Sequence, residues 1–240
     1  WITEPTLASA CGTTRAGTGP SQLISCAKKY GYTIRLFIKD KDPAKEKELW
    51  SEVFASSVDG IIFMSDEMMV DILQIAVQNA ITSLRTVHNE EFYYFAFIFD
   101  AGLHPYISAW SYEAYEKSVI ENQIKEEEKA WWKWDYADSP YVVYGYDEFF
   151  LEASKYLDER ANRMSKDELY SVEWNARISA MEEALKRLDE KGFFGVGDSR
   201  EHVVINVEVA PPDYNEYERA LRLNPQSLLL FEYLEYCESE

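Results

Sequence analysis

The sequence of 240 residues predicts an α+β fold: a mixed or antiparallel sheet flanked by helices, with a strand–helix–strand (βαβ) segment near its start. Two observations carry this prediction. Short runs rich in aromatic and β-branched residues, which are typical of strands, stand among longer segments in which apolar residues recur every three or four positions, as in amphipathic helices. After residue 67 the two kinds of segment follow each other without a regular βα alternation, which indicates an α+β architecture.

Residues 1–66 contain the predicted βαβ segment. The first twenty residues, rich in Thr, Ser, Ala and Gly, are expected to form a loop or tail. "TIRLFI" (33–38) alternates like a strand, "DPAKEKELWSEVFASS" (42–57) opens with a helix-starting Asp-Pro pair, and "VDGIIFMS" (58–65) is a short apolar run typical of a buried strand. We therefore expect an amino-terminal unit over this part and an acidic α+β domain over residues 67–240.

The first half of that domain has four predicted elements. A long helix is predicted over residues 68–85, where the apolar side chains form one stripe. "FYYFAFIF" (92–99) is continuously apolar, which favours a central strand, and a turn at Gly102 leads to its hairpin partner "PYISAW" (105–110). Residues 112–129 predict a charged, mainly exposed helix.

The second half of the domain has four more predicted elements. One helix is predicted to begin near Asp147, and another to end at Gly192. "HVVINVEV" (202–209) alternates apolar and polar residues, which predicts a half-buried strand. The last helix is predicted to begin with Asn224 as its cap and Pro225 in its first turn.

Acidic residues dominate the second part of the chain. The formal net charge is -19, and residues 1–66 hold eight basic and eight acidic side chains, so the whole excess lies in residues 67–240. Such a surface repels phosphate backbones, which disfavours nucleic acid as a partner. It attracts basic proteins and speeds their docking. Charge that serves only solubility is the alternative.

The composition gives no sign of a membrane span or of a metal site. No apolar run approaches the roughly 20 residues that a transmembrane helix needs, and the first twenty residues lack a secretion signal. Three cysteines, widely spaced and without a CxxC pair, favour a reduced cytoplasmic protein. The histidines, His88, His104 and His202, lie far apart in the sequence, so we expect no metal and no cofactor.

Residues 130–150, "AWWKWDYADSPYVVYGYDEFF", hold three tryptophans, four tyrosines and two phenylalanines. On a helix Trp131 and Trp134 share a face while Trp132 points about 100° away, so at least one indole is expected near the surface or against another segment. Because Trp and Tyr are enriched at binding hot spots, we predict a partner-binding face here. Its candidate residues are Trp131, Trp132, Trp134, Asp135, Tyr136, Asp138, Tyr144 and Tyr146. A Trp-rich loop packed over the sheet and a platform for a carbohydrate or small molecule are the alternatives.

No catalytic residue is predicted, because the nucleophile and metalloprotease motifs are absent. A binding protein is therefore favoured over an enzyme. A pocket with two carboxylates, or His104 beside one carboxylate, would instead favour an enzyme of unrecognised type.

Six features in order resemble a known family over residues ~68–236. They are the leading helix, "EEFYYFAFIFD", "WWKWDYADSPYVVYG", "ALKRLDEKGFFG", Arg200 before "VVINVEV", and a closing "LNP". Together they are similar to the bacterial family catalogued as domain of unknown function 4303, whose members resemble proteins of toxin–immunity loci. The resemblance implies a non-catalytic, immunity-like factor that binds and neutralises a basic protein partner such as a toxin.

Residues 26–65 resemble a different family. "CAKKYGYTIRLFIKDKDPAKEKELWSEVFASSVDGIIFMS" is similar to part of the sugar-binding fold of periplasmic binding proteins and LacI-type repressors. The segment covers only a fraction of that fold. A small-molecule or sugar-binding protein is therefore the alternative function.

Overall fold

The computed structural model describes residues 67–100, 102–213 and 215–239. The tail and βαβ segment predicted over residues 1–66, with the similarity to sugar-binding proteins, lie outside the described residues.

β1 (Phe92–Asp100) is the central strand of a three-stranded mixed sheet. It pairs antiparallel with β2 (Pro105–Ser111) and parallel with β3 (Val204–Ala210), in the order β2-β1-β3. The first eight residues of β1 are all buried, which explains why its sequence is apolar without alternation. The predicted α+β fold with a mixed sheet is confirmed.

Eight α-helices lie in the described part of the chain, and they flank the sheet. In chain order they are α1 (Glu67–His88), α2 (Tyr112–Glu121), α3 (Lys129–Trp132), α4 (Leu151–Ala161), α5 (Lys166–Glu168), α6 (Trp174–Glu190), α7 (Glu216–Leu223) and α8 (Leu228–Ser239). Three turns of other helical types accompany them: 3₁₀ turns at Glu126–Glu128 and Gly197–His202, and a π-helical turn at Leu169–Glu173. None of the described helices combines the length and the apolar composition needed to cross a bilayer.

Helices α1 and α6 pack against each other and match their predictions. The apolar stripe of α1 is buried along its whole length, from Met69 to Leu84. Helix α6 ends at Glu190, and Gly192 follows in the left-handed region with φ 74°. The amide of Gly192 donates to the carbonyl of Asp189 over 2.8 Å, which is the closing turn that a glycine favours.

Residues 112–129, predicted as one helix, contain the shorter helix α2, a break and a 3₁₀ turn that leads into α3. Helix α2 ends at Glu121, and Gln123 adopts a left-handed φ of 54° that a continuous helix does not permit. The chain then resumes through the 3₁₀ turn into α3. The prediction of one continuous helix is therefore wrong. The break is not predicted, because the residues on both sides of it are charged.

β3 is predicted to be half buried, and this is wrong, because both of its faces are covered. Asn206 and Glu208, on the face expected to be polar and exposed, are buried beneath the last two helices. Their side chains contact Tyr233 of α8: the amide of Asn206 donates to its hydroxyl over 2.8 Å, and that hydroxyl donates to Glu208 over 2.7 Å. The polar residues of this strand therefore form an internal hydrogen-bond network.

The predicted cap of the last helix is also wrong. Ser227 takes that role, because its hydroxyl accepts from the amide of Leu230 over 3.1 Å. The side chain of Asn224 instead bonds both backbone groups of Ile205, at 2.9 and 2.7 Å, on the outer edge of β3. Helix α7, which precedes Asn224, has no counterpart among the predicted elements.

Candidate partner-binding surface

The aromatic segment 130–150 covers the outer edge of β2. Its backbone meets the strand at Ile107, whose carbonyl accepts from the amide of Tyr144 over 3.0 Å. Near the other end of β2, the indole of Trp110 donates to the carbonyl of Asp135 over 2.7 Å. An open edge strand can pair with other chains, and this segment covers that edge. Much of its aromatic content is therefore structural.

The three tryptophans have different surroundings. Trp134 is 2% exposed and packs edge-on against Tyr93, Tyr94 and Tyr233, with ring centroids 5.2 to 5.5 Å apart. Its indole belongs to the core. This agrees with the alternative interpretation, in which the Trp-rich segment is a loop packed over the sheet.

Trp131 and Trp132 lie outside that core, on the short helix α3. Trp132 is half-buried, and its indole N–H donates to the hydroxyl of Ser118 over 3.0 Å. Trp131 is 40% exposed, and its ring centroid lies 6.3 Å from that of Trp132. Of the three indoles, Trp131 offers the most surface to a partner.

The neighbouring polar residues mainly shape the turn after α3. A carboxylate oxygen of Asp135 accepts from the amide of Ala137 over 2.8 Å, while Tyr136 is half-buried and Asp138 is exposed. Lys133 pairs with Glu232 of α8 over 2.5 Å. This ion pair holds the segment against the last helix.

Tyr146 lies at the opposite end of β2 from Asp135, and Tyr144 lies near the middle of the strand. Tyr146 contacts His104, which is six residues from Trp110, the contact of Asp135. At about 3.3 Å per residue, six residues correspond to roughly 20 Å. The structure therefore spreads the predicted residues along β2. Asp135 contacts Trp110 near the end of the strand, the backbones of Tyr136 and Tyr144 contact Ser108 and Ile107 in its middle, and Tyr146 contacts His104 just before its first residue.

A shallow groove lies between α2 and α3. We call it the α2–α3 groove; its volume is about 280 Å³, and its lining comprises Tyr115, Glu116, Val119, Ile120 and Lys129. Ile120 is 75% exposed. An apolar side chain this exposed, in a groove lined by the same helix α3 that carries the half-buried Trp132 and the exposed Trp131, marks the groove as a candidate contact surface.

Carboxylates outnumber cations around the α2–α3 groove. Residues 112–132 contain six Glu and three Lys. Two of the three lysines are paired: Lys129 lies 2.6 Å from Glu126, and Lys117 lies 3.8 Å from Glu121. The exposed 3₁₀ turn Glu126–Glu128 therefore leaves this surface with a net negative charge.

A second polar cluster, which the sequence did not predict, surrounds His104. Its Nε2 lies 3.1 Å from a carboxylate oxygen of Asp158, and its Nδ1 lies 3.2 Å from the hydroxyl of Tyr146. These residues are 54 and 42 positions from His104, so no local pattern connects them. A carboxylate beside His104 is a feature that would favour an enzyme of unrecognised type.

A family model described as "Domain of unknown function (DUF4303)" matches residues 73–225, from α1 through α7. No curated protein and no solved structure matches the chain. The matched range contains all three strands of the sheet and the aromatic segment, and it covers well over half of the chain. The chain therefore belongs to the DUF4303 family, as its motifs predict.

Proposed function

We propose that this chain is an immunity-like factor of the bacterial cytoplasm, which binds a basic protein partner such as a toxin and neutralises it by covering its active surface. The observation that carries the proposal is the exposed indole of Trp131 on α3, the helix whose residue Lys129 lines the largely apolar α2–α3 groove, within an excess of carboxylates.

The apolar part of this surface fits a protein contact. Trp131 and Ile120 are 40% and 75% exposed, and Trp is among the residues that most often dominate binding energy. The neighbouring Trp132 is held by its hydrogen bond to Ser118, so the surface is ordered before a partner arrives.

The charged part favours a basic partner. Glu126, Glu127 and Glu128 are exposed in one turn beside the groove. Charges at the rim of an interface mainly raise the association rate, while buried aromatic anchors slow dissociation. The two features therefore have complementary roles in one binding event.

The shape of the α2–α3 groove favours a protein over a small molecule. Its volume of about 280 Å³ lies at the lower limit of ligand pockets, which are usually concave clefts of about 300–1,000 Å³. A surface this shallow suits the side chains of a larger partner.

The experiment takes the protein encoded next to this chain in its genome as the partner. We expect calorimetry to detect a complex that weakens as salt is raised from 0.05 to 0.5 M, and co-expression to relieve the partner's toxicity. Trp131→Ala should weaken binding by about 2 kcal/mol, or roughly thirtyfold. Tyr170→Ala is the matched control, because Tyr170 is an aromatic residue of similar exposure, 51%, on the π-helical turn.

Equal affinities of wild type and Trp131→Ala, with folding intact, would remove Trp131 as the anchor. Affinity that does not change with salt would contradict the electrostatic part of the proposal.

A further inference from the structure

Asp158, His104 and Tyr146 form a hydrogen-bonded chain at the end of the sheet opposite Trp131. With Nε2–H of His104 directed at Asp158, 3.1 Å away, Nδ1 accepts from the hydroxyl of Tyr146, 3.2 Å away. The side chains of His104 and Asp158 are 27% and 55% exposed, so a substrate can reach them. The order of carboxylate, imidazole and hydroxyl is the one in which an acid orients a base and the base takes the proton of a nucleophile.

The two ring-bearing residues of this chain each follow a residue in the left-handed region. Leu103, with φ 68°, precedes His104, and Gly145, with φ 74°, precedes Tyr146. Val143 in the same loop has φ 58°, which is rare for a β-branched residue. Glycine adopts this region without strain, but at Leu103 and Val143 the conformation persists only where the surrounding structure enforces it, and such residues cluster at functional sites.

A buried arginine fixes the backbone on both sides of the cluster. Arg177 donates to the carbonyl of Leu103 over 2.8 Å and to the carbonyl of Leu157 over 2.6 Å. These two residues directly precede His104 and Asp158. Arg177 therefore sets the separation between the imidazole and the carboxylate, and we regard it as a positioning residue.

The π-helical turn holds that arginine in place. Glu173, the last residue of the turn, accepts from Nε of Arg177 over 3.0 Å. Inserted π-helical turns occur frequently at functional sites. The left-handed residues, the buried arginine and the π-helical turn thus all support one small group of side chains.

We propose that Tyr146 is a nucleophile activated by His104, and that this site takes acyl groups from neutral or positively charged substrates. In the step, Oη of Tyr146 attacks the acyl carbon and forms a C–O bond, while the bond between that carbon and the leaving group breaks. The phenolic proton passes to Nδ1 of His104 and then to the leaving group. The step needs neither oxidant nor reductant.

The electrostatics of the site define the substrate class and the need for a base. Burial raises the pKa of Tyr146, and the carboxylates of Asp100, Asp147 and Asp158 raise it further. The phenol therefore keeps its proton at neutral pH, so attack requires His104 to accept it. The same carboxylates repel anionic substrates such as acyl phosphates.

The experiment uses N-acetylimidazole, a neutral acyl donor that acetylates tyrosine, with peptide mapping by mass spectrometry. Tyr170, which is 51% exposed, serves as the internal reference. We expect the half-buried Tyr146 to be acetylated on the order of 10²-fold faster than Tyr170, which is the lower range of general-base assistance. Acetyl phosphate, an anionic acyl donor, should not show this selectivity.

Two variants test the role of the base. His104→Gln should bring the rate at Tyr146 down to that of Tyr170, and Asp158→Asn should lower it in the same direction. Asp158 is exposed on α4, so this second variant decides the question if the first does not fold. Acetylation of Tyr146 no faster than Tyr170 in the wild type, or unchanged in folded variants, overturns the proposal.

Discussion

Glu173 and Arg177 form an ion pair in which both side chains are buried and lie one helical turn apart. Nε of Arg177 donates to one carboxylate oxygen of Glu173 over 3.0 Å, and Arg160 donates to both oxygens, at 2.9 and 2.8 Å. Nη1 and Nη2 of Arg177 donate to the backbone carbonyls of Leu103 and Leu157. A buried ion pair of this kind is stable only while each charge keeps its partners.

Removing the buried cation should destabilise the fold strongly. Arg177→Met leaves Glu173 buried beside one arginine instead of two, so we expect a loss of about 3–5 kcal/mol in the free energy of unfolding, measured with urea. Arg187→Met in the same helix is the control. The carboxylates that Arg187 pairs with include the exposed Glu67 and Asp71, so its loss should cost about 0–1 kcal/mol. Equal losses in the two variants would contradict the distinction.

The free energy of unfolding should decrease at acidic pH, partly because Asp213 becomes protonated. Burial raises the pKa of this carboxyl, but the hydrogen bonds and charge of Arg219 outweigh burial, so the pKa lies below its usual range. The contribution is therefore present above the unfolded pKa of about 3.9 and is lost as pH falls through the folded pKa. We expect the stability difference between wild type and Asp213→Asn to shrink as pH is lowered from 6 to 3, measured by urea unfolding. A difference that stays constant over this range would disprove the linkage.

The free energy of unfolding should also decrease at alkaline pH, partly because of the phenol of Tyr233. Burial, followed by the charge of Glu208, raises the pKa of this phenol well above its ordinary value. Its contribution is full below the unfolded pKa of about 10 and is lost as pH rises toward the folded pKa. Tyr233→Phe should lose about 1.5–3 kcal/mol at pH 7, because it removes the 2.7 Å hydrogen bond to Glu208. Above pH 10 its stability should fall less than that of the wild type.

The control for this alkaline prediction is Tyr170→Phe. Tyr170 is 51% exposed, so its hydroxyl contributes little to folding. Its unfolding curve should follow that of the wild type from pH 7 to 11. A parallel decline of Tyr233→Phe and the wild type above pH 10 would mean that Tyr233 is not the group that titrates.

Strands and long helices are predictable here because their apolar patterns reflect burial directly. β1 and α1 lie within a few residues of their predicted ends. β3 shows the limit of such patterns: Asn206 and Glu208 look exposed in the sequence, yet both meet Tyr233 in the interior. Whether a polar residue has a buried partner depends on which helix packs over it, and that helix can be distant in the sequence.

The candidate sites are less predictable than the fold for the same reason. The sequence identifies the aromatic segment, but the end of α3 at Trp132 decides which indole turns inward, and that break has no local signal. The cluster of His104, Tyr146 and Asp158 is assembled by contacts between three distant segments. Single-sequence periodicity carries no information on such contacts.

The tryptophans of the aromatic segment provide the sharpest stability test. Trp134→Ala should cost about 3–5 kcal/mol in the free energy of unfolding, because Trp134 is 2% exposed and its removal leaves a cavity among Tyr93, Tyr94 and Tyr233. Trp131→Ala should cost less than about 1 kcal/mol, because its indole is 40% exposed. The two variants make the same change three positions apart, so each is the other's control. A large loss for Trp131→Ala would mean that this indole supports the fold, and its effect on partner binding would then be indirect.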